Sequence, residues 1–209
     1  MMRRHNAGGV PVCATTYQCY RRDALPRMLA DMDTARREGF AFAAKTVRGA
    51  YMHLERSLAA QTGREDPIHA TIEATHECYN LAVATGMNEM AAGNNVHVMV
   101  ATHNRDSVAH ATAMMDALRL PPSGGPVHFA QLLGMADYLT YPLARSGYQA
   151  RKFTPYGPVK QVIPYLIRRA QENSDALGAV RHDLAALRRE LSRRALGQRA
   201  GRASASAAA

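Results

Sequence analysis

The chain has 209 residues, 47% of them hydrophobic, with a formal net charge of +9, eleven methionines and no tryptophan. That length supports one domain with a sizeable core, and the scarcity of aromatics beside so many methionines points to a core of small and flexible side chains. The charge does not read as a nucleic-acid footprint: much of the excess sits in Arg168, Arg169 and the run from Arg181 to Arg202, without the interleaved aromatics on which single strands stack.

In chain order, Met1-Met-Arg-Arg-His is basic but reaches the first expected strand, Ala14 to Tyr20, too soon to be a whole transit peptide or signal sequence. Cys13 and Cys19 flank or lie in this strand, and with Cys78 they are odd in number and irregularly spaced. Neither a disulfide framework nor a CxxC metal knuckle fits, whereas a reducing compartment does. A helix is expected over Ala24 to Glu38, with Pro26 near its start and Gly39 just past its end. The strand Phe40 to Val47 runs into Lys45-Thr-Val-Arg48-Gly49-Ala50-Tyr51. The next expected helix, Thr71 to Ala91, carries His76-Glu77-Cys78 on different faces, and no HExxH occurs, so a metal site is not expected.

The strand Val96 to Thr102 ends in Thr102-His103-Asn104, and Asn104 suits the N-cap of a helix over Ser107 to Leu118. Pro121 to Pro126 reads as a loop, being short and followed at once by the strand Val127 to Leu133. A last strand, Ala150 to Thr154, precedes a helix over Val159 to Glu172. Leu177, Val180, Leu184, Leu187 and Leu191 then keep helical spacing among arginines, so an amphipathic helix is expected to about Arg194, followed by a disordered, small-residue-rich tail. No internal repeat occurs, and no apolar run approaches the roughly 20 residues of a membrane span. Five strands alternating with helices give the pattern of βα units in a parallel sheet.

The most informative stretch is Pro155 to Asn173. On a helix, Tyr165, Arg168, Arg169 and Glu172 fall at i, i+3, i+4 and i+7, so one face carries a phenol, two guanidiniums and a carboxylate. Guanidinium forks pair bidentately with carboxylates, which suits a clamp for a small carboxylic acid held in place by Glu172. The same pattern also fits an ordinary surface helix with an i,i+4 ion pair.

Six pieces in register, Thr16 to Tyr20, Lys45 to Tyr51, Asp66-Pro67-Ile68, Val98 to Asn104, Phe129 to Met135 and Pro155 to Asn173, resemble the proline dehydrogenase family, in wording closer to its eukaryotic, mitochondrial branch. The resemblance implies an α/β fold, a partial (β/α)8 TIM-like barrel over residues 14–195 with a tail at 196–209. The five strands would be the fourth to the eighth of the barrel, in a fragment inactive by itself. It implies FAD as cofactor, oxidation of L-proline to 1-pyrroline-5-carboxylate, a quinone as electron acceptor, and a mitochondrial matrix or inner-membrane-surface location, with no nucleic-acid partner. By resemblance, Gln18, Lys45, Val47, Arg48, Gly49, Ala50, Thr102, His103 and Asn104 meet the cofactor, with Lys45 as the catalytic cation beside the flavin. Leu132, Phe153, Tyr165, Arg168, Arg169 and Glu172 meet the substrate. The family generally has tyrosine where this chain has Phe153. A hydroxyproline dehydrogenase is therefore an alternative, and so is a non-catalytic protein that binds a partner polypeptide.

Overall fold

A computed structural model describes residues 1–174, together with 184, 187–189, 191, 192 and 194. The elements run α1 (Met2–His5), β1 (Thr15–Gln18), α2 (Ala24–Glu38), β2 (Phe42–Val47), α3 (Met52–Thr62), α4 (Ile72–Ala91), β3 (Val96–Ala101), α5 (Arg105–Ala117), β4 (Val127–Leu132), α6 (Asp137–Arg145), β5 (Ala150–Phe153) and α7 (Val159–Ser174). All five expected strands and all four expected helices form, with ends shifted by up to two residues. The helical spacing beyond Asn173 falls largely outside the described residues, although Leu184, Leu187 and Leu191 are helical and exposed.

Three helices were not read from the sequence, each for a physical reason. The first, α1, is a single turn that buries none of its own residues, although Asn6 beside it is fully buried and bonds to Cys13 O and Ala41 O. Along α3 only Ala59 is buried while Leu54 and Leu58 are exposed, so its apolar residues mark no core-facing stripe. In α6 the interior Pro142 removes a backbone donor, and the helix survives by burying Leu139, Thr140 and Leu143.

The sheet is wholly parallel, with strand order β1-β2-β3-β4-β5. Strand order that follows chain order, without a reversal, is the pattern of a barrel wall; a doubly wound sheet reverses direction in the middle. Burial alternates along the strands, most cleanly in β3, where Val96, Val98 and Val100 are buried and His97, Met99 and Ala101 are partly exposed. In register with these, Phe42, Ala44, Val127 and Phe129 share the helix-facing side. Tyr79, Val83 and Met87 of α4, Met28 and Met32 of α2, and Val108, Ala111 and Met115 of α5 complete this core. The approach of α4 to β3 is close enough that a Cβ on Gly86 would come within 2.5 Å of Val98 Cγ2.

The opposite side carries the row Thr16, Lys45, Met99 and His128, each paired with the next across adjacent strands. The sheet curves around this side. The Lys45 ammonium of β2 lies 4.7 Å from the centre of the Phe153 ring of β5, three strands away. In a flat sheet three strand spacings span about 14 Å.

Candidate functional site

The C-terminal ends of the strands, the loop after β2 and helix α7 converge on one region. Gln18 is the last residue of β1, and its Oε1 accepts the Ala50 backbone N–H at 3.3 Å, joining the first strand to the Arg48-Gly49-Ala50 loop. Gly49 adopts φ +136, and an added Cβ there would overlap the Tyr20 ring, 1.3 Å from Cδ1. Intimate packing on Tyr20 therefore gives this glycine a structural reason of its own.

Helix α7 crosses this mouth. Tyr165 packs against Phe153 with ring centres 6.0 Å apart, Arg169 Nη2 donates to Ala50 O at 3.2 Å, and the guanidiniums of Arg168 and Arg169 lie 5.5 and 6.0 Å from the centre of the Tyr51 ring. Lys45, Phe153, Tyr165, Arg168 and Arg169, distributed over more than half the chain, thus gather in one place. Tyr51 joins them, a residue to which the sequence reading gave no role. The local pattern holds no signal for it, because its partners lie more than a hundred residues away.

The region is cationic. Lys45 and Arg168 make no ion pair among the described residues, and Arg168 Nε is buried with no hydrogen-bond partner. Burial, and then the charge of Arg169, push the Lys45 ammonium below its ordinary range. Three cations walled by the rings of Tyr51, Phe153 and Tyr165 suit a small ligand that carries a carboxylate on an apolar body. The side chain of Glu172, expected to steady Arg168, lies outside the described residues, although its backbone belongs to α7.

A second cluster forms at the ends of β2 and β3. Arg48 donates from Nε to His76 Nδ1 at 2.8 Å, from Nη1 to Thr102 Oγ1 at 2.7 Å and from Nη2 to Ser107 Oγ at 2.7 Å, with its guanidinium 4.4 Å from the Tyr79 ring centre. Burial lowers its pKa, and burial followed by the Arg48 charge lowers that of His76, which keeps the imidazole a neutral acceptor. Asn104 caps α5 by accepting Ser107 N–H at 2.9 Å, and His103 Nε2 accepts Leu132 N–H at 3.0 Å. Leu132 is held from its other side as well, its carbonyl accepting from Lys152 Nζ at 3.4 Å. Val47 lies half-buried at the end of β2, opposite Gln18. Sequence spacing could not disclose His76, Ser107 or Lys152, whose partners come from other elements.

Comparison with known proteins places these features in context. The family model for proline dehydrogenase matches residues 1–182. The human protein named proline dehydrogenase 1, mitochondrial, is 44% identical over 194 residues, which are 93% of this chain and 32% of the human one. Hydroxyproline dehydrogenase of Xenopus laevis is also 44% identical, over 185 residues, 88% of this chain and 40% of that protein. The chain thus spans about a third of the length of the human relative. Among solved structures, proline utilization A from Bdellovibrio bacteriovorus, inactivated by N-propargylglycine, superposes with a TM-score of 0.69 at 25% identity, covering 76% of this chain and 16% of that one.

Proposed function

Because the chain belongs to the proline dehydrogenase family, we propose that its cationic, ring-walled mouth receives L-proline beside bound FAD and that the amino acid is oxidised there to 1-pyrroline-5-carboxylate. The observation that carries this reading is the convergence of Lys45, Arg168 and Arg169 with the rings of Phe153, Tyr165 and Tyr51 at the C-terminal ends of the strands, where barrel enzymes hold their chemistry.

The residues present fit both groups. The unpartnered, buried Nε of Arg168 is a donor waiting for an acceptor, and a substrate carboxylate satisfies it. Tyr165 and Phe153 supply apolar walls for the saturated ring, and Leu132 continues that wall from β4. On the cofactor side Gln18, which spends its Oε1 on Ala50, keeps its amide donors for a ring acceptor. Val47 to Ala50 and the Thr102-His103-Asn104 turn would carry the cofactor, joined through the Arg48 hydrogen bond to Thr102. FAD, when bound, supplies the acceptor for the hydride lost from the ring carbon next to nitrogen. Lys45, a cation whose charge burial disfavours, gains most from negative charge placed next to it, so it favours accumulation of that charge nearby. Electrons then pass to a quinone, in a mitochondrial setting at the matrix or inner-membrane surface.

The test is spectroscopic. With the remaining barrel strands supplied by an N-terminal half, the chain given FAD and L-proline without oxygen is expected to lose flavin absorbance. A five-membered ring carboxylate is expected to bind more tightly than the same ring without its carboxylate. Equal binding of the two rings overturns the reading of the mouth as a carboxylate site.

Oxidation of 4-hydroxyproline is a second reading, favoured by the bare ring of Phe153 and by an identity to hydroxyproline dehydrogenases equal to that for the proline enzymes. Phe153→Tyr is expected to shift the ratio of kcat/KM for proline over 4-hydroxyproline a few-fold toward proline with flavin content intact. An unchanged ratio removes Phe153 from substrate choice.

A further inference from the structure

At the end of β5 two successive side chains leave the sheet on opposite sides. Phe153, on the concave side, pairs across the strands with Leu132, and Lys152, on the helix side, pairs with Gln131. The Lys152 ammonium reaches the turn between β4 and α6. It donates to Met135 O at 2.7 Å and to Leu132 O at 3.4 Å and lies 2.6 Å from Asp137 Oδ1, so an ammonium with three protons meets three acceptors. Only 21% of its side chain is exposed. The stability of α6 does not account for a cation here, because the first turn of a helix favours negative charge and α6 begins at Asp137.

We infer that Lys152 is a positioning residue for the substrate pocket: by pinning the turn that follows Leu132, it sets the spacing between the Leu132 and Phe153 side chains and so the fit of a five-membered ring between them. The inference rests on the proposed function, in which Leu132 and Phe153 are pocket walls. Leu132 is gripped at both of its backbone polar atoms by side chains from the ends of the flanking strands. Its N–H donates to His103 Nε2 at 3.0 Å, and its carbonyl accepts from Lys152. Leu133 N–H then donates to Phe153 O at 3.0 Å, extending the ladder between β4 and β5. Beyond that rung the chain turns through Gly134, at φ +77, and Met135 N–H returns to Leu132 O at 3.1 Å.

Packing does little to hold this turn. Leu133 is exposed, and a Cβ on Gly134 would meet nothing within 4 Å among the described residues. A charged donor that gathers the carbonyls of Leu132 and Met135 supplies the order that packing does not. Lys152 thus holds both walls without touching the substrate: Phe153 through the peptide bond and Leu132 through the ammonium. The carboxylate clamp is placed independently. Arg168 and Arg169 belong to α7 and lie against Tyr51, with Arg169 also bonded to Ala50 O and stacked near Tyr165. Loss of the Lys152 ammonium therefore loosens the ring's seat and leaves the clamp in place.

The test separates ring fit from carboxylate binding. With the remaining barrel strands supplied by an N-terminal half and FAD bound, the flavin difference spectrum is titrated with cyclopentanecarboxylate and with acetate. Lys152→Met is expected to weaken cyclopentanecarboxylate about tenfold, the scale of a misfitted apolar contact, with acetate affinity and flavin content unchanged. Lys152→Arg, which keeps a charged donor near the carbonyls, is expected to recover most of the preference for the ring. If Lys152→Met fails to fold, as judged by circular dichroism, Asp137→Asn decides in its place, since it frees the ammonium from its carboxylate and is expected to lower the same preference by a smaller factor. A parent that binds neither carboxylate overturns the pocket reading and this inference with it. A parent that binds both, beside a variant with the same ring preference or with equal losses of the two ligands, overturns the inference alone.

Discussion

On the helix side of the sheet Ala44, Val98 and Val127 are at most 1% exposed and pack into one continuous core, whereas one residue along the same strands Lys45, Met99 and His128 look to the concave side. The two-residue period of a strand lets one segment serve both purposes, because successive side chains belong to different solvents. One side is specified by volume and apolarity, and its partners are interchangeable within limits of size. The other is specified by charge and donors, and substitutions there change what is bound more than whether the chain folds.

Phenylalanine occurs on both sides of the sheet and separates them most clearly. Phe129, fully buried on the helix side, is expected to cost about 3–5 kcal/mol when changed to alanine. Phe153, 41% exposed on the other side, is expected to cost under about 1 kcal/mol for the same change. Urea unfolding of the two variants measures both, and equal losses would mean that the concave side is as much a core as the helix side.

Next in size is the arginine pair. Arg168→Met is expected to weaken binding of L-proline roughly ten- to a hundredfold, about 1.5–3 kcal/mol, with flavin content unchanged, since a charged donor to the carboxylate is lost. Titration of the flavin spectrum with proline reads the affinity. Loss of flavin with unchanged proline affinity would move Arg168 from the substrate to the cofactor.

A smaller, pH-dependent effect belongs to Lys45. Burial, and then Arg169, depress its pKa below the usual 10.5, so its charge is present at neutral pH and is lost, as pH rises, sooner than in an ordinary lysine. Affinity for cyclopentanecarboxylate, which has no amine to titrate, is expected to hold near neutrality and to fall on the alkaline side. Lys45→Met is expected to flatten that profile and lower its plateau. A profile that falls equally in the variant would assign the titration to another group.

Much of the scaffold was legible in the sequence. Each strand is a short run dense in Val, Ala, Phe or Thr bounded by turn residues, and α2 and α5 carry their caps in plain view, Gly39 at one end and Asn104 at the other. What escaped notice were α1, α3 and α6, which bury too little of their own surface, or contain a proline, and so depend on neighbours for their existence. The helical face of Tyr165, Arg168 and Arg169 was readable from spacing alone, because it lies within one element.

Strand count, parallel βα order, family and the anion-seeking face of α7 were therefore legible in the chain. These rest on short-range periodicity and on residues close in the chain. The fold alone brings Arg169 to Ala50, Lys45 to Phe153, and Arg48 to His76, Thr102 and Ser107. Those contacts join residues 28 to 119 positions apart or in different elements, and they exist because the sheet curves and brings β2 and β5 within reach of each other. No local pattern encodes that curvature; it follows from packing the helices against one side of a twisted sheet.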